Sequence, residues 1–288
     1  MNRSSIIPVL TVCLVLLVVW YLACIPLNAV VAETKIKAAG GGLFATLRES
    51  WNHTRPVIPA PHQIVAELWT TVFTIAPWKV KSLFYHCWVT LSSTLLGFAL
   101  GVLLGVVLAI LIVHSKLLSK ALMPWIIASQ TIPILAIAPM IIVVLGSLGL
   151  TGLFPKSLIS MYLCFFPVTI GMVKGLTSPD VIHRDLMRTY NANMSEVLWK
   201  LRLPASVPYL FTSLKIAVAI ALTGAIVGEL PTGAVSGIGA RLLVGSYNGL
   251  TLMIWGALVA ASVMAALLVW LVGFAERKTL VHMGVKPA

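Results

Sequence analysis

From Ile6 to Leu27 the chain runs 22 residues without a charged side chain. About 20 apolar residues suffice for a helix to cross the hydrocarbon layer. Comparable charge-poor runs recur from about His86 to Val113, Leu122 to Leu145, Ser157 to Val173, Pro208 to Val227 and Leu250 to Phe274. A soluble domain carries roughly 25% charged residues; this chain of 288 carries 10%, with a mean hydropathy of +1.02. It lacks the polar surface of a globule in water. In lipid, backbone groups must bond within their own segment, which favours helices. The expected fold is therefore an all-α integral membrane protein with six transmembrane helices.

The first run exceeds the roughly 7–15 residues of a signal-peptide core, so residues 1–27 are expected to be an uncleaved first span. Residues 28–85 form a polar segment with one short amphipathic helix, "PHQIVAELWTTV", whose Ile64, Val65, Leu68 and Val72 share a face and whose Pro61 suits a helix start. A five-helix core, 86–276, contains a polar connection at 174–207, and a basic tail, 277–288, closes the chain. With the N-terminus inside, 12 of the 20 basic residues fall on inner segments, among them Lys116, Lys120, Arg184, Arg188 and Lys286. The short outer loops hold only Lys156 and Arg241. This bias orients the chain with both termini and the 174–207 loop cytoplasmic and 28–85 periplasmic. It also accounts for the net charge of +12. The basic residues form no stripe with interleaved aromatics, so nucleic acid is not an expected partner.

Within the spans, Gly97, Gly101 and Gly105 repeat at four-residue spacing, a pattern that lets helix backbones approach closely in lipid. Pro133 and Pro139 each remove a donor and are expected to kink the third span. Ser129, Gln130 and Thr131 stand beside that break, where irregular backbone at membrane depth implies a protein-lined or water-filled cavity. Gln130, Thr131, Pro133 and Glu229 are the candidate pathway residues. Glu229 precedes a Gly-rich segment, "GELPTGAVSGIGARLLVGSYNG". An ionisable residue at such depth is a functional candidate. It could contact substrate or a mate subunit, pair with Arg241, or be a carboxylate hydrated at a helix end.

The 174–207 connection reads as a capped helical hairpin. Ser178-Pro179-Asp180 offers an N-cap, a first-turn proline and an acid near the positive helix end. Asn191 sits at the corner, since asparagine tolerates the left-handed region. Asn193 and Glu196 make a capping-box spacing for a second helix, which Pro204 is expected to stop. Leu186, Met187, Tyr190, Met194, Val197, Leu198 and Leu201 form an apolar stripe. It suits docking into a partner's groove, packing under the protein's own helices, or lying on lipid headgroups.

The stretch "DLMRTYNAN…LRLP" resembles the EAA loop of ABC-transporter permeases, the binding-protein-dependent inner-membrane components. Asp185 matches the family's Glu, Leu186 and Met187 replace its two alanines, Arg188 fits a common basic position, Asn191 replaces the glycine, and Leu203-Pro204 closes the motif. "IPAPHQIVAELW", "IPILAIAPMIIVVLG", "FFPVTIGMVKGL" and "GELPTGAVSGIGARL" are similar, in order, to the nitrate/sulfonate/taurine branch. The resemblance implies a type I ABC importer permease (MetI-like) architecture in a bacterial inner membrane. It further implies a coupling loop (Asp185, Leu186, Met187, Arg188, Asn191, Ala192, Asn193, Glu196, Leu203, Pro204) docked on a cytoplasmic ATPase. The implied partners are that ATPase, a periplasmic or lipid-anchored substrate-binding protein and a second permease subunit, identical or homologous. The implied solute is a small anion such as nitrate, a sulfonate or taurine, or a heterocycle such as a thiamine-precursor pyrimidine or riboflavin.

No GxxxxGK[ST] phosphate loop, HExxH or GxSxG occurs, so ATP hydrolysis is expected in a separate chain and this subunit is not expected to be an enzyme. Cys13, Cys24, Cys87 and Cys164 lie far apart, and the six histidines fall mostly at helix ends or in loops; neither set has metal-ligand spacing. No metal or cofactor is expected. The rival reading is an ATPase-independent secondary transporter, which calls for inverted repeats and charged relays within helices; neither pattern is evident.

Overall fold

The computed structural model describes residues 3–38, 40–231 and 236–284; Lys286 and residues 232–235 of the Gly-rich segment lie outside them. The described residues form two compact units, Met1–His86 with Arg241–Ala260, and Cys87–Ala240 with Ala261–Ala288.

The first unit opens with α1 (Arg3–Ala38), followed by α2 (Leu43–Trp51) and α3 (Pro61–Trp69), which runs into a π-turn at Thr70–Thr74. Helix α1 thus continues well past the expected end at Leu27. An i,i+4 pair supports the extra turns, with Lys37 Nζ 2.6 Å from Glu33. Asn28, fully buried, knots this part of α1 to the following loop. Its Nδ2 donates to Ser50 O (2.9 Å) and Ile58 O (2.8 Å), and its Oδ1 accepts from Val57 N–H (2.8 Å). Trp20 packs on Trp255 with ring centroids 4.9 Å apart and donates to Pro59 O. The expected apolar face of α3 is narrower than its pattern: Ile64 is buried, whereas Val65 is exposed.

The second unit is organised around α7 (Leu153–Thr177), with α4 (Leu83–His114), α5 (Lys116–Ser129), α6 (Ile134–Ser147), α8 (Val181–Thr189), α9 (Met194–Val197) and α10 (Leu203–Gly228). Helices α11 (Ile238–Tyr247) and α12 (Thr251–His282) complete the chain. Small residues bring α4, α7 and α10 together. A Cβ on Gly97 would lie 2.3 Å from Ser160 Cβ and 2.5 Å from Ser157 O, and one on Gly101 would lie 2.0 Å from Cys164 Sγ. On the other side of α7, Gly171 and Gly175 lie against Ser213 and Ser206, while Gly224 lies against Ser160. Association in lipid gains nothing from hiding oil from oil, so close van der Waals contact between small residues takes over. Cys164, Val168, Met172, Ala217 and Ala221 fill the contact.

Among the described residues, five helices are individually long and apolar enough to cross a membrane. The remaining expected span, the third, is the pair α5–α6, bent by 99°. Its break falls at residues 130–133, and Pro133 caps α6. Pro139 lies inside α6, which continues past it to Ser147. Hydroxyls donate to carbonyls near the break: Tyr162 Oη to Ser129 O (2.5 Å), Ser129 Oγ to Ile126 O (2.7 Å) and Thr131 Oγ1 to Ala128 O (2.8 Å).

Two expectations for the polar connection are corrected. Ser178 ends α7, donating to Gly175 O, and Asp180 takes the N-cap position of α8. Pro204 does not stop the second helix. A π-turn at Leu198–Arg202 intervenes, with Leu203 N–H reaching Leu198 O, and α10 continues through Pro204 and Pro208. The wider turn shifts the bonding register by one residue ahead of the proline ring, which would otherwise strike the helix it joins.

Candidate functional site

The hairpin α8–α9 is shaped largely by hydrogen bonds between residues close in its own sequence. At the end of α8, Asn191 N–H bonds to Arg188 O (2.9 Å) and Ala192 N–H to Met187 O (3.0 Å). This is the paired-bond ending that normally carries a glycine in the left-handed position. Asn191 holds it with φ 51°, the one non-glycine residue of positive φ among those described. Two residues later a capping box starts α9. Glu196 N–H donates to Asn193 Oδ1 (2.8 Å), and Asn193 N–H donates back to Glu196 Oε2 (3.0 Å). Lys200 Nζ meets the other carboxylate oxygen at 3.0 Å.

The apolar stripe divides. Leu198 is buried among the α7 and α10 core residues, and Leu203 packs on the same cluster. Leu186 is exposed, as are Tyr190 (79%) and Met194 (70%). Asp185 and Arg188 face solvent as a loose pair 3.4 Å apart. The hairpin is thus anchored through Leu198 and presents Leu186, Tyr190 and Met194 without an internal partner. Apolar side chains held outward on a locally locked frame suit a complementary groove.

Glu229 is placed quite differently. It is fully buried just past α10, so it is not a hydrated helix-end carboxylate. Thr90 Oγ1 donates to it at 3.0 Å, Gly239 N–H donates to Oε2 at 2.9 Å, and Lys156 Nζ lies 3.7 Å from Oε1. The Thr90 hydroxyl in turn accepts Ile238 N–H (2.8 Å), and Lys156 donates to Ser236 O (3.2 Å). The expected alternative partner, Arg241, instead lies 3.7 Å from Glu67 and donates to Lys81 O (3.1 Å). A buried carboxylate is tolerable only when donors and a cation replace its water, and this one has both. The result clamps the start of α11 to α4 and α7. Gly237, at φ 120°, lets the chain pass the carboxylate: a Cβ there would lie 2.1 Å from Glu229 Cδ.

The other pathway candidates, Gln130, Thr131 and Pro133, lie exposed at the α5–α6 break. Among the described residues no hydrogen bond or ion pair joins them to Glu229. Sequence reading missed the Asn28 knot, the Thr90–Glu229–Lys156 network and the glycines of α7 and α10. The last had a signal: Gly171 and Gly175, like Gly224 and Gly228, repeat at the spacing noted for α4. The first two link residues far apart in sequence and carry no local pattern.

Comparison with known proteins decides the identity of the chain. Residues 101–278 match the family of binding-protein-dependent transport system inner membrane components. The chain belongs to this family of ABC transporter permeases. Among relatives, it is 36% identical to the riboflavin transport system permease protein of Chloroflexus aurantiacus, over 77% of this chain and 78% of that one. It is 30% identical to the formylaminopyrimidine transport permease protein of Halalkalibacterium halodurans (72% and 81% covered). It is 26% identical to the nitrate import permease protein of Leptolyngbya laminosa (74% and 76%). This permease is therefore a multi-pass membrane protein of the nitrate/sulfonate-like branch, in a family of transport subunits rather than catalysts.

Proposed function

We propose that this permease forms the solute path of an ATP-driven importer and takes its driving force through the α8–α9 hairpin. The observation that carries the proposal is the combination found there: a frame fixed by the Asn191 corner and the Asn193–Glu196 capping box, with Leu186, Tyr190 and Met194 turned outward. A cytoplasmic ATPase dimer docks on this surface. Its closure moves α7 and α10 as a body, because Leu198 and Leu203 root the hairpin between them. Two permease subunits, identical or homologous, enclose the path, with Gln130, Thr131 and Pro133 at the α5–α6 break on its lining. Both termini and the hairpin are cytoplasmic in a bacterial inner membrane, and a periplasmic or lipid-anchored binding protein delivers the solute outside. Glu229 acts on the path indirectly, by holding the start of α11.

For the solute we propose a small nitrogen heterocycle, selected by the binding protein. The riboflavin and formylaminopyrimidine permeases share more identity with this chain than the nitrate permease does.

The test is co-purification and coupled uptake. The native permease retains its ATPase, and Leu186→Asp with Tyr190→Asp releases it while the permease still inserts. A cysteine placed at Ser195 reacts with an impermeant thiol reagent in inverted vesicles and stays protected in intact cells. Labelling from outside, or full uptake with the ATPase absent, overturns the coupling role. In proteoliposomes carrying the complete system, uptake of riboflavin or formylaminopyrimidine above nitrate and taurine supports the heterocycle; the reverse order overturns that part alone.

A further inference from the structure

A second polar feature lies on α10 and α12, apart from both the hairpin and the Glu229 network. A cavity of about 290 Å³ is lined by Lys215 on one side and by Trp270, Gly273, Phe274, Glu276 and Arg277 on the other. Lys215 comes from an otherwise apolar stretch, and its ammonium forms an ion pair with Glu276, the two side chains being 37% and 16% exposed. Long basic side chains lying on apolar surface carry their heads toward water in this way. Along α12 the chain passes from apolar residues through Trp270 and Phe274, stacked at 5.8 Å, to the charged run Glu276, Arg277, Lys278. That succession of aromatic ring and then charge marks a membrane–water interface.

The charges do not cancel. Glu276 neutralises Lys215, and among the described residues no carboxylate lies within ion-pair distance of exposed Arg277. The wall at Gly273 is open: a Cβ there would meet only Lys215 Cε, at 3.8 Å. The volume sits at the lower edge of ligand pockets, roughly 300–1,000 Å³, which fits a headgroup better than a large solute. We infer that this cavity binds a phosphate-bearing anion at the membrane interface, with its phosphate at Arg277 and any attached hydrocarbon against Trp270 and Phe274. Guanidinium is the side chain best shaped for such oxygens. The site stands independently of the coupling role proposed above.

Two sources could supply the phosphate, a phospholipid headgroup or free phosphate, and one experiment separates them. The full-length permease in neutral detergent is titrated with phosphatidylglycerol, phosphatidylcholine or inorganic phosphate, and bound molecules are counted by native mass spectrometry. The expected result is one tight phosphatidylglycerol, weakened roughly fivefold by Arg277→Gln and less by Arg277→Lys, which keeps the charge but not the planar fork. Lys120→Gln, at an exposed lysine of α5 away from the cavity, should leave it within twofold. Saturable binding of inorganic phosphate that Arg277→Gln removes assigns the site to a free anion and upholds the phosphate chemistry. Equal losses in Arg277→Gln and Lys120→Gln mean diffuse charge attraction and overturn the site, as does binding unaffected by either.

Discussion

The α4–α7–α10 crossing and the α8–α9 hairpin are built from opposite materials. At the crossing, side chains have been pared away: Gly97, Gly101 and Gly105 meet Ser160, Cys164 and Val168 with no room for a further methyl group. At the hairpin, large side chains are kept and left uncovered, with Tyr190 and Met194 the clearest cases. The crossing is held by contacts distant in sequence, and the hairpin by hydrogen bonds spanning three to five residues. On the coupling role proposed above, a structure moved as one body by a partner needs the first property between its helices and the second where it is pushed. Substitutions should therefore cost stability at the crossing and its flanking clamp, and cost coupling at the hairpin.

Two glutamates put this contrast most sharply. Glu229→Ala leaves Lys156 nearly buried without its carboxylate and Gly239 N–H without an acceptor. A broken buried pair costs about 3–5 kcal/mol, so the thermal unfolding midpoint in detergent should fall steeply. Adding Lys156→Met should recover much of the loss, because an apolar replacement of the whole pair is often neutral. Glu196→Gln, at the exposed capping box, should leave that midpoint unmoved while lowering ATPase-coupled uptake. Equal midpoints for Glu229→Ala and Glu196→Gln would erase the distinction between the two regions.

Next in size is the glycine face. Gly97→Ala pushes a Cβ into Ser157 O and Ser160 Cβ, both backbone-borne and unable to step aside. Overpacking costs typically about 1–3 kcal/mol. The control is Gly146→Ala in α6, where a Cβ meets nothing within 4 Å; alanine's better helix propensity should make it neutral or slightly stabilising. Denaturation curves of the two variants should separate in opposite directions, and curves that coincide would mean that the crossing is looser than its geometry.

How much of this was legible beforehand follows from the range of the interactions. The spans were readable because lipid demands some 20 apolar residues in a row whatever the fold. The Asn191 corner and the Asn193–Glu196 box were readable because each is a local hydrogen-bonding pattern. Pro204 misled for the same reason: taken alone a proline stops a helix, and only the π-turn at Leu198–Arg202, ahead of it, lets the chain run on. Ser178 misled because its hydroxyl could serve either neighbouring helix and serves α7. The Glu229 network was not readable at all. Thr90, Lys156 and Gly239 are spread across the chain, and nothing beside Glu229 distinguishes a clamp from a pathway carboxylate.

A smaller effect is expected at the helix cap of the hairpin. Asn193→Ala removes the acceptor for Glu196 N–H, worth about 1 kcal/mol for a capping residue. Global unfolding should barely register it. Hydrogen exchange at the amides of residues 194–197 should quicken about fivefold, and the affinity for the ATPase should drop. A lowered global midpoint would mean that the hairpin carries part of the fold's stability, which its exposed stripe argues against.

The smallest expected change is at the corner. Asn191 already occupies the left-handed region with both closing bonds made, so Asn191→Gly removes a side-chain penalty while adding freedom to the unfolded chain. These oppose each other, and a surface substitution of this kind should stay within about 0.5 kcal/mol. Exchange at the Ala192 amide should change by less than about threefold, and coupled uptake should persist. If uptake instead collapses while Ala192 stays protected, the asparagine side chain itself touches the partner, and the corner belongs to the docking surface rather than to the frame that carries it.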